Sequence, residues 1–95
     1  MEPRLTSFRI PSGVLRATVG GEEVLLNQDT GVYHLVNPTG RSLIRAFESG
    51  ESLEGAIQAL ARDTGEGEQR VADDASAFVD AMVERGLLER MPDLA

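Results

Sequence analysis

The chain of 95 residues contains no cysteine, no lysine and no tryptophan, and it has one histidine. Without cysteine it can form neither disulfides nor thiolate metal sites, which suits a reducing compartment. No apolar run approaches the roughly 20 residues of a membrane-spanning helix, and the N-terminal stretch MEPRLTSFRIPSG lacks the apolar core of a signal peptide. The sequence therefore predicts a cytoplasmic protein with no membrane partner. It is expected to form a single domain over residues 1–95, with an ordered core at about 14–90.

Positive charge is scarce, because all nine basic residues are arginines and they face 16 acidic residues. The formal net charge is −7. Binding to nucleic acid needs clustered positive charge, whereas here the acidic residues crowd the C-terminal half. We interpret those acids as the solvated faces of helices and predict no nucleic-acid partner.

Signals for catalysis or metal binding are nearly absent. His34 has no cysteine partner, and a lone histidine on a short strand is more typical of a surface or groove residue than of a base or ligand. Asp73 and Asp74 are neighbours on a predicted helix, so their carboxylates point apart. The turn at 28–31 (QDTG) is too short for a calcium loop, and GEG at 65–67 lacks the context of a dinucleotide motif. The sequence therefore predicts no enzyme, no metal site and no cofactor.

The first third of the chain has the pattern of a β-meander. Three strands are predicted at residues 14–19 (VLRATV), 22–27 (EEVLLN) and 32–36 (VYHLV). Gly20-Gly21 is a two-residue hairpin signal, and QDTG at 28–31 forms the second turn. Residues 1–12 are expected to be extended at best. The third strand is expected to lie at the edge of the sheet, since the chain then leaves for a helix.

The rest of the chain has the pattern of three helices, at about 38–48, 53–64 and 68–85. Asn37-Pro38 is an N-cap followed by proline at the first helical position, and Ser52 caps the second helix. Gly65 is a natural C′ residue, and Gly86 terminates the third helix. The apolar positions recur at helical spacing: Leu43, Ile44 and Phe47; Leu53, Ala56, Ile57, Leu60 and Ala61; Val71, Ala75, Phe78, Val79, Met82 and Val83. Leu87 and Leu88 are expected to fold back onto the core, and the tail MPDLA is expected to fray.

The predicted fold is α+β and winged-helix-like, a three-stranded antiparallel meander followed by three helices. An edge strand exposes N–H and C=O groups that another extended chain can complete. Tyr33 and Leu35 share one face of that strand, while Val32, His34 and Val36 share the other. The apolar stripe of the third helix is long for so small a core, so part of it is available to a ligand side chain; pure core packing is the competing interpretation.

The ordered set of motifs from Asp29 to Leu88 resembles the PqqD-like family. Its first part, D-T-G-x-Y-x-L-x-N-P-T-G, comprises Asp29, Thr30, Gly31, Tyr33, Leu35, Asn37, Pro38, Thr39 and Gly40. The later part comprises Gly50, the helix from Leu53 to Ala61, and E-R-G-L-L from Glu84 to Leu88. The resemblance covers about residues 14–90. One departure is the extra Val36 before Asn37, which leaves open which face of the third strand meets a ligand.

The resemblance implies a RiPP recognition element, a domain that binds the N-terminal leader of a ribosomally synthesised precursor peptide. A free-standing domain of this size is most similar to the B1 proteins of lasso-peptide pathways, with the PQQ pathway as the other possibility. The leader would add to the third strand, lie toward the third helix and be delivered to a modifying enzyme or leader peptidase. The predicted peptide-binding residues are Val32, Tyr33, His34, Leu35, Val36, Arg70, Val71, Asp74, Ala75, Phe78, Val79 and Met82. Among them, Arg70 and Asp74 are expected at the rim.

Two alternatives belong to other classes of protein. A protein–protein adaptor would use the same cleft for a folded partner. A DNA-binding winged helix would need basic residues on its third helix. Residues 66–84 instead hold six acids against one base: Glu66, Glu68, Asp73, Asp74, Asp80 and Glu84 against Arg70. The charge pattern therefore disfavours DNA binding.

Overall fold

The computed structural model describes residues 7–91. Its elements follow one another as β1 (Phe8–Arg9), β2 (Val14–Val19), β3 (Glu22–Asn27), β4 (Tyr33–Val36), α1 (Pro38–Glu48), α2 (Leu53–Thr64), α3 (Glu68–Glu84) and β5 (Glu89–Arg90). The predicted α+β architecture, a three-stranded antiparallel meander followed by three helices, is confirmed. The prediction for residues 1–6 and for the tail from 92 onward lies outside the described residues.

The meander has the order β2-β3-β4 and an unbroken register. A two-residue turn at Gly20 and Gly21 joins β2 to β3, and both glycines have positive φ, which side chains with a Cβ rarely adopt. In the second pairing, Leu25 lies opposite His34 and Glu23 lies opposite Val36. Val36 therefore continues the strand without a bulge, so the extra residue before Asn37 causes no slip of register.

The helices begin and end where local capping signals predict. The Asn37 side chain accepts a hydrogen bond from the Gly40 N–H at 2.7 Å, and the Ser52 hydroxyl accepts one from the Gly55 N–H at 3.1 Å. These side chains satisfy backbone donors that have no partner within the first helical turn. Gly65 ends α2 in the left-handed conformation. The bounds of α1 and α2 match the predicted ones, and α3 ends one residue earlier than predicted.

A small ribbon that the sequence did not indicate joins the two ends of the described chain. β1 pairs antiparallel with β5, so that Phe8 lies opposite Arg90 and Arg9 opposite Glu89. The Arg9 and Glu89 side chains form an ion pair across it. Phe8 is buried against Phe47, with ring centroids 5.4 Å apart. The ribbon thus covers the C-terminal part of α1.

The core lies between one face of the meander, the three helices and the ribbon. Its buried side chains are Phe8, Leu25, Val36, Leu43, Ile44, Phe47, Ala56, Ile57, Val71, Ala75, Val79, Met82, Leu87 and Leu88. The prediction that Leu87 and Leu88 fold back onto the core is confirmed, since both are almost completely buried. No polar or charged residue of the described chain is buried in this core.

Candidate peptide-binding cleft

β4 is an edge strand within the part of the chain that the structure describes. Backbone groups in an antiparallel pair point alternately toward and away from the partner strand. The Asn27 N–H donates to the Val32 carbonyl at 2.8 Å, which makes Asn27 and Val32 a hydrogen-bonded pair. By alternation, the backbone groups of His34 also face β3. The N–H and C=O groups of Tyr33 and Leu35 therefore point to the open edge.

The same alternation holds on the other side of β3. The Gln28 N–H donates to the Gly13 carbonyl at 3.1 Å, so the groups at even-numbered positions of β3 face β2, and those at odd-numbered positions face β4. The two pairings are thus mutually consistent. The edge available to an added strand is defined by two residues, Tyr33 and Leu35, each offering one donor and one acceptor.

Phe78 is the side chain of α3 that meets this edge strand. The rings of Phe78 and His34 meet edge to face, with centroids 6.4 Å apart. Phe78 also lies against the first turn of α1, because a Cβ placed on Gly40 would come 2.6 Å from the Phe78 Cε1 atom and 3.1 Å from the Val36 Cγ1 atom. We call the region formed by His34, Val36, Gly40, Phe78 and Arg85 the β4–α3 cleft.

One end of the β4–α3 cleft is polar. The Arg85 guanidinium donates a hydrogen bond to the His34 Nδ1 atom. Partial burial, together with the positive charge of Arg85, lowers the pKa of His34 below its usual value near 6.5. The imidazole is therefore neutral at pH 7 and accepts at Nδ1, while Nε2 carries the proton.

Asn27 holds this polar end together. Its amide Nδ2 donates to the Gly86 carbonyl at 3.2 Å, and its Oδ1 atom accepts from the Asp29 N–H at 2.9 Å. The turn that starts β4 is thereby tied to the C-terminus of α3. Sequence reasoning missed the roles of Asn27, Gly40 and Arg85. For Arg85 a signal was present, since it lies seven residues after Phe78 and so on the same side of the helix.

The predicted residues of α3 fall into three groups. Val71, Ala75, Val79 and Met82 are core residues with 5%, 0%, 3% and 0% exposure. Phe78 reaches the β4–α3 cleft, where it meets His34. Of the two rim residues, Arg70 pairs with Glu66 at 3.3 Å, and Asp74 is exposed one turn before Phe78. Contact of any of these residues with a peptide stays a prediction.

The side chains of β4 also divide between two faces. His34 and Val36 point toward the cleft and the core, and Val36 is 4% exposed. Tyr33 and Leu35 point to the opposite face, which carries no helix, and are 66% and 53% exposed. Val32 precedes the strand and is partly exposed. The structure thus separates residues that can touch a ligand through side chains from residues that can do so through the backbone.

The face of the sheet opposite the helices is largely apolar and exposed. Directly opposed residues share a face, which assigns to it Leu15, Ala17, Val19, Val24, Leu26, Tyr33 and Leu35, together with the charged Glu22 opposite Val19. We call this set the outer face. By contrast, the inner face near the first hairpin carries an ionic cluster, in which Arg16 pairs with Glu23 at 2.8 Å and also with Glu48.

Residues 7–91 contain neither a metal-binding cluster nor a membrane-spanning helix. No group of three or more histidine, cysteine, aspartate or glutamate side chains is arranged to hold a metal ion. In the same residues no helix combines the length and apolar character required to cross a membrane.

Comparisons with known proteins relate this chain to one family. A structure described as TbiB1 in complex with the TbiA(beta) leader peptide has a TM-score of 0.77, with 27% identity over 90% of this chain and 99% of that one. A lasso peptide synthetase B1 complexed with the leader peptide has a TM-score of 0.78 at 23% identity, with the same coverage. No curated protein matches the sequence. The family model for coenzyme PQQ synthesis protein D (PqqD) matches residues 22–88, most of the chain. This chain therefore belongs to the PqqD family.

Proposed function

We propose that this chain binds the leader segment of a ribosomally synthesised precursor peptide, which adds to β4 as a fourth strand. The observation that carries the proposal is the open edge at Tyr33 and Leu35 beside the apolar wall of Phe78. Main-chain hydrogen bonds would supply sequence-independent affinity, and side-chain contacts in the cleft would supply specificity. The similarity to two B1 proteins described as complexes with leader peptides supports this assignment.

Added to β4, a leader strand would present alternate side chains to two different surfaces. Side chains opposite His34 and Val36 would enter the β4–α3 cleft, where Phe78 offers an apolar contact. Side chains opposite Tyr33 and Leu35 would extend the outer face. Half of the leader's side chains would therefore anchor it in the cleft, and the other half would be exposed on the opposite side of the sheet.

The chain itself would act as a binding domain, without catalysing a reaction. It would deliver the bound precursor to a separate enzyme, a leader peptidase or another modifying enzyme, in the cytoplasm, where a ribosomal product first becomes available. The outer face is the surface best suited to that enzyme, since contiguous exposed apolar patches are typical of protein interaction sites. It is also continuous with the proposed leader strand.

The strand-addition test replaces an outward N–H. Proline is tolerated at an edge position whose N–H faces solvent, so Leu35→Pro should fold but lose most of its affinity for a leader-bearing precursor peptide. Leu35→Ala is the matched control, because it removes the side chain and keeps the N–H; its affinity should stay near wild type. Circular dichroism checks the fold. Equal affinity of folded Leu35→Pro and wild type in a calorimetric titration would exclude pairing at this edge.

A second titration separates leader binding from a general adaptor role. The intact precursor should bind, and the same peptide without its leader should not. Equal binding of both forms would favour the adaptor.

The delivery step is tested with Leu15→Glu, which places a charge on the outer face away from β4. This variant should leave precursor affinity unchanged while slowing processing by the partner enzyme. Unchanged processing would remove the outer face from the proposal.

A further inference from the structure

Arg85 gives the β4–α3 cleft a positive charge that the described chain does not neutralise. Three other arginines, Arg9, Arg16 and Arg70, each pair with a glutamate. Within residues 7–91, no carboxylate lies within the 4.0 Å ion-pair distance of the Arg85 guanidinium. Its described contact is the imidazole of His34, a neutral acceptor. A hydrogen bond to a neutral acceptor is weaker than one to a carboxylate.

The sheet register states which ligand residue would meet this charge. Residues directly opposite each other on paired strands share a face, so the leader residue opposite His34 would point into the cleft beside Arg85. The leader residue opposite Val36 would also enter the cleft, two positions away along the peptide. It would meet Phe78, which, like Val36, lies close to Gly40. The cleft thus offers one cationic and one apolar subsite at a spacing of two residues.

Resting on the proposed leader-binding function, we propose that Arg85 determines specificity by selecting leaders with an aspartate or glutamate opposite His34, two residues from an apolar anchor. The planar guanidinium can donate two parallel hydrogen bonds to a carboxylate. In exchange, Arg85 gives up a single bond to the imidazole. Because the formal net charge of the protein is −7, its overall field disfavours an acidic ligand residue. A carboxylate that is favourable at one place therefore also sets the register of the leader.

The experiment is selection from a phage-displayed library of random linear peptides, carried out in parallel on three proteins. The wild type should enrich peptides with an acidic residue two positions from an apolar one. Arg85→Glu should enrich lysine or arginine at that same position. Arg62→Glu, on the exposed end of α2, makes the same change of net charge away from the cleft, so its preferences should match wild type.

A charge-swap titration then tests the pair directly. The best wild-type peptide should lose about tenfold in affinity when its acidic residue becomes glutamine. Arg85→Gln should bind the acidic and the glutamine peptide equally. Because it removes the positive charge without adding a negative one, it tests the same contact even if Arg85→Glu fails to fold. A lysine peptide should bind Arg85→Glu more tightly than wild type. Coupling of this kind in a double-mutant cycle is the signature of a direct contact.

The outcomes distinguish this inference from the proposed function. If wild type and Arg85→Glu enrich the same residues, Arg85 does not select charge and the inference is wrong. Should those peptides still depend on the β4 edge, with Leu35→Pro abolishing their binding, strand addition survives. If folded Leu35→Pro binds them as wild type does, or if no peptide is enriched, both proposals fail.

Discussion

Gly40 and Phe78 lie so close that the first turn of α1 has room for no side chain at this position. A Cβ on Gly40 would come 2.6 Å from Phe78 Cε1 and 2.9 Å from its Cζ, well inside van der Waals contact. Both residues bound the β4–α3 cleft, so the position of the Phe78 ring depends on the missing Cβ. This pair links the Pro-Thr-Gly start of α1 to the proposed ligand wall.

Gly40→Ala is therefore expected to displace the Phe78 ring. We predict a loss of about 1–2 kcal/mol in the free energy of unfolding, since overpacking typically outweighs the helix-propensity gain of alanine, and weaker binding of the precursor. Gly55→Ala in α2 is the matched control. There the close atom is the end of the flexible Glu51 side chain, so stability should be unchanged or rise by up to about 1 kcal/mol. Urea denaturation measures both, and equal effects would contradict the packing argument.

Ala75→Glu is expected to destabilise the protein severely. Ala75 is 0% exposed within the core, and an unpaired charge there has no solvent or partner. Asp74→Ala on the exposed neighbour should leave the melting temperature nearly unchanged and alter precursor affinity by less than about 1 kcal/mol. A folded Ala75→Glu with lost binding would instead place the residue in an open pocket. Wild-type affinity for Ala75→Glu would exclude Ala75 from any ligand pocket.

Removing the Phe78 ring should impair binding more than folding. Phe78 is half-buried, so Phe78→Ala should cost less stability than the 3–5 kcal/mol typical of roughly full burial. Precursor affinity should fall by about 2 kcal/mol or more, as for buried interface anchors. Affinity is measured by calorimetric titration, at a temperature at which thermal melting shows that the variant is folded. Retained affinity would show that the cleft wall is not the anchor.

The pH dependence of stability has a defined sign. Partial burial and Arg85 lower the pKa of His34 in the folded state, so the unfolded chain binds the proton more readily. The contribution of His34 is present above its unfolded pKa near 6.5 and is lost as pH falls through that value toward the folded pKa. The test compares wild type with His34→Gln between pH 7.5 and 5.5. The two proteins share every other ionisable group, so the difference between their curves reports His34. The wild type should lose more stability over this interval, and parallel curves would contradict the assignment.

Binding to duplex DNA should be undetectable at physiological salt. The acidic surface offers no release of counterions from the phosphate backbone, which dominates affinity for DNA. An electrophoretic mobility assay with a random duplex is sufficient. Saturable, salt-sensitive retardation would restore the DNA-binding winged-helix interpretation.

Several features follow from the sequence because their causes are local. Asn37-Pro38, Ser52 and Gly65 each act within one helical turn, so the bounds of α1 and α2 could be predicted. The two glycines between β2 and β3 likewise predict a hairpin from a signal only four residues long. Fold class and family resemblance rest on such short-range signals in a particular order.

Other features depend on residues far apart in the chain. Phe8 and Arg90 pair across a ribbon of two-residue strands, too short to have a periodic pattern of their own. Whether the His34 N–H faces β3 or solvent depends on its pairing with Leu25. The register turns it inward, so a proline at position 34 would disrupt the sheet, and Leu35 is the position that tests the edge.

The sequence by itself determined that α3 carries an apolar stripe and that β4 precedes a helix, because spacing and capping are properties of a short segment. Tertiary structure decided which part of the stripe faces inward. It buried Ala75 and left Phe78 beside Gly40, and it brought Arg85 to His34 across 51 residues of chain. The physical reason is that helical periodicity defines an apolar face of one helix, whereas the burial of each residue on that face depends on which other elements pack against it.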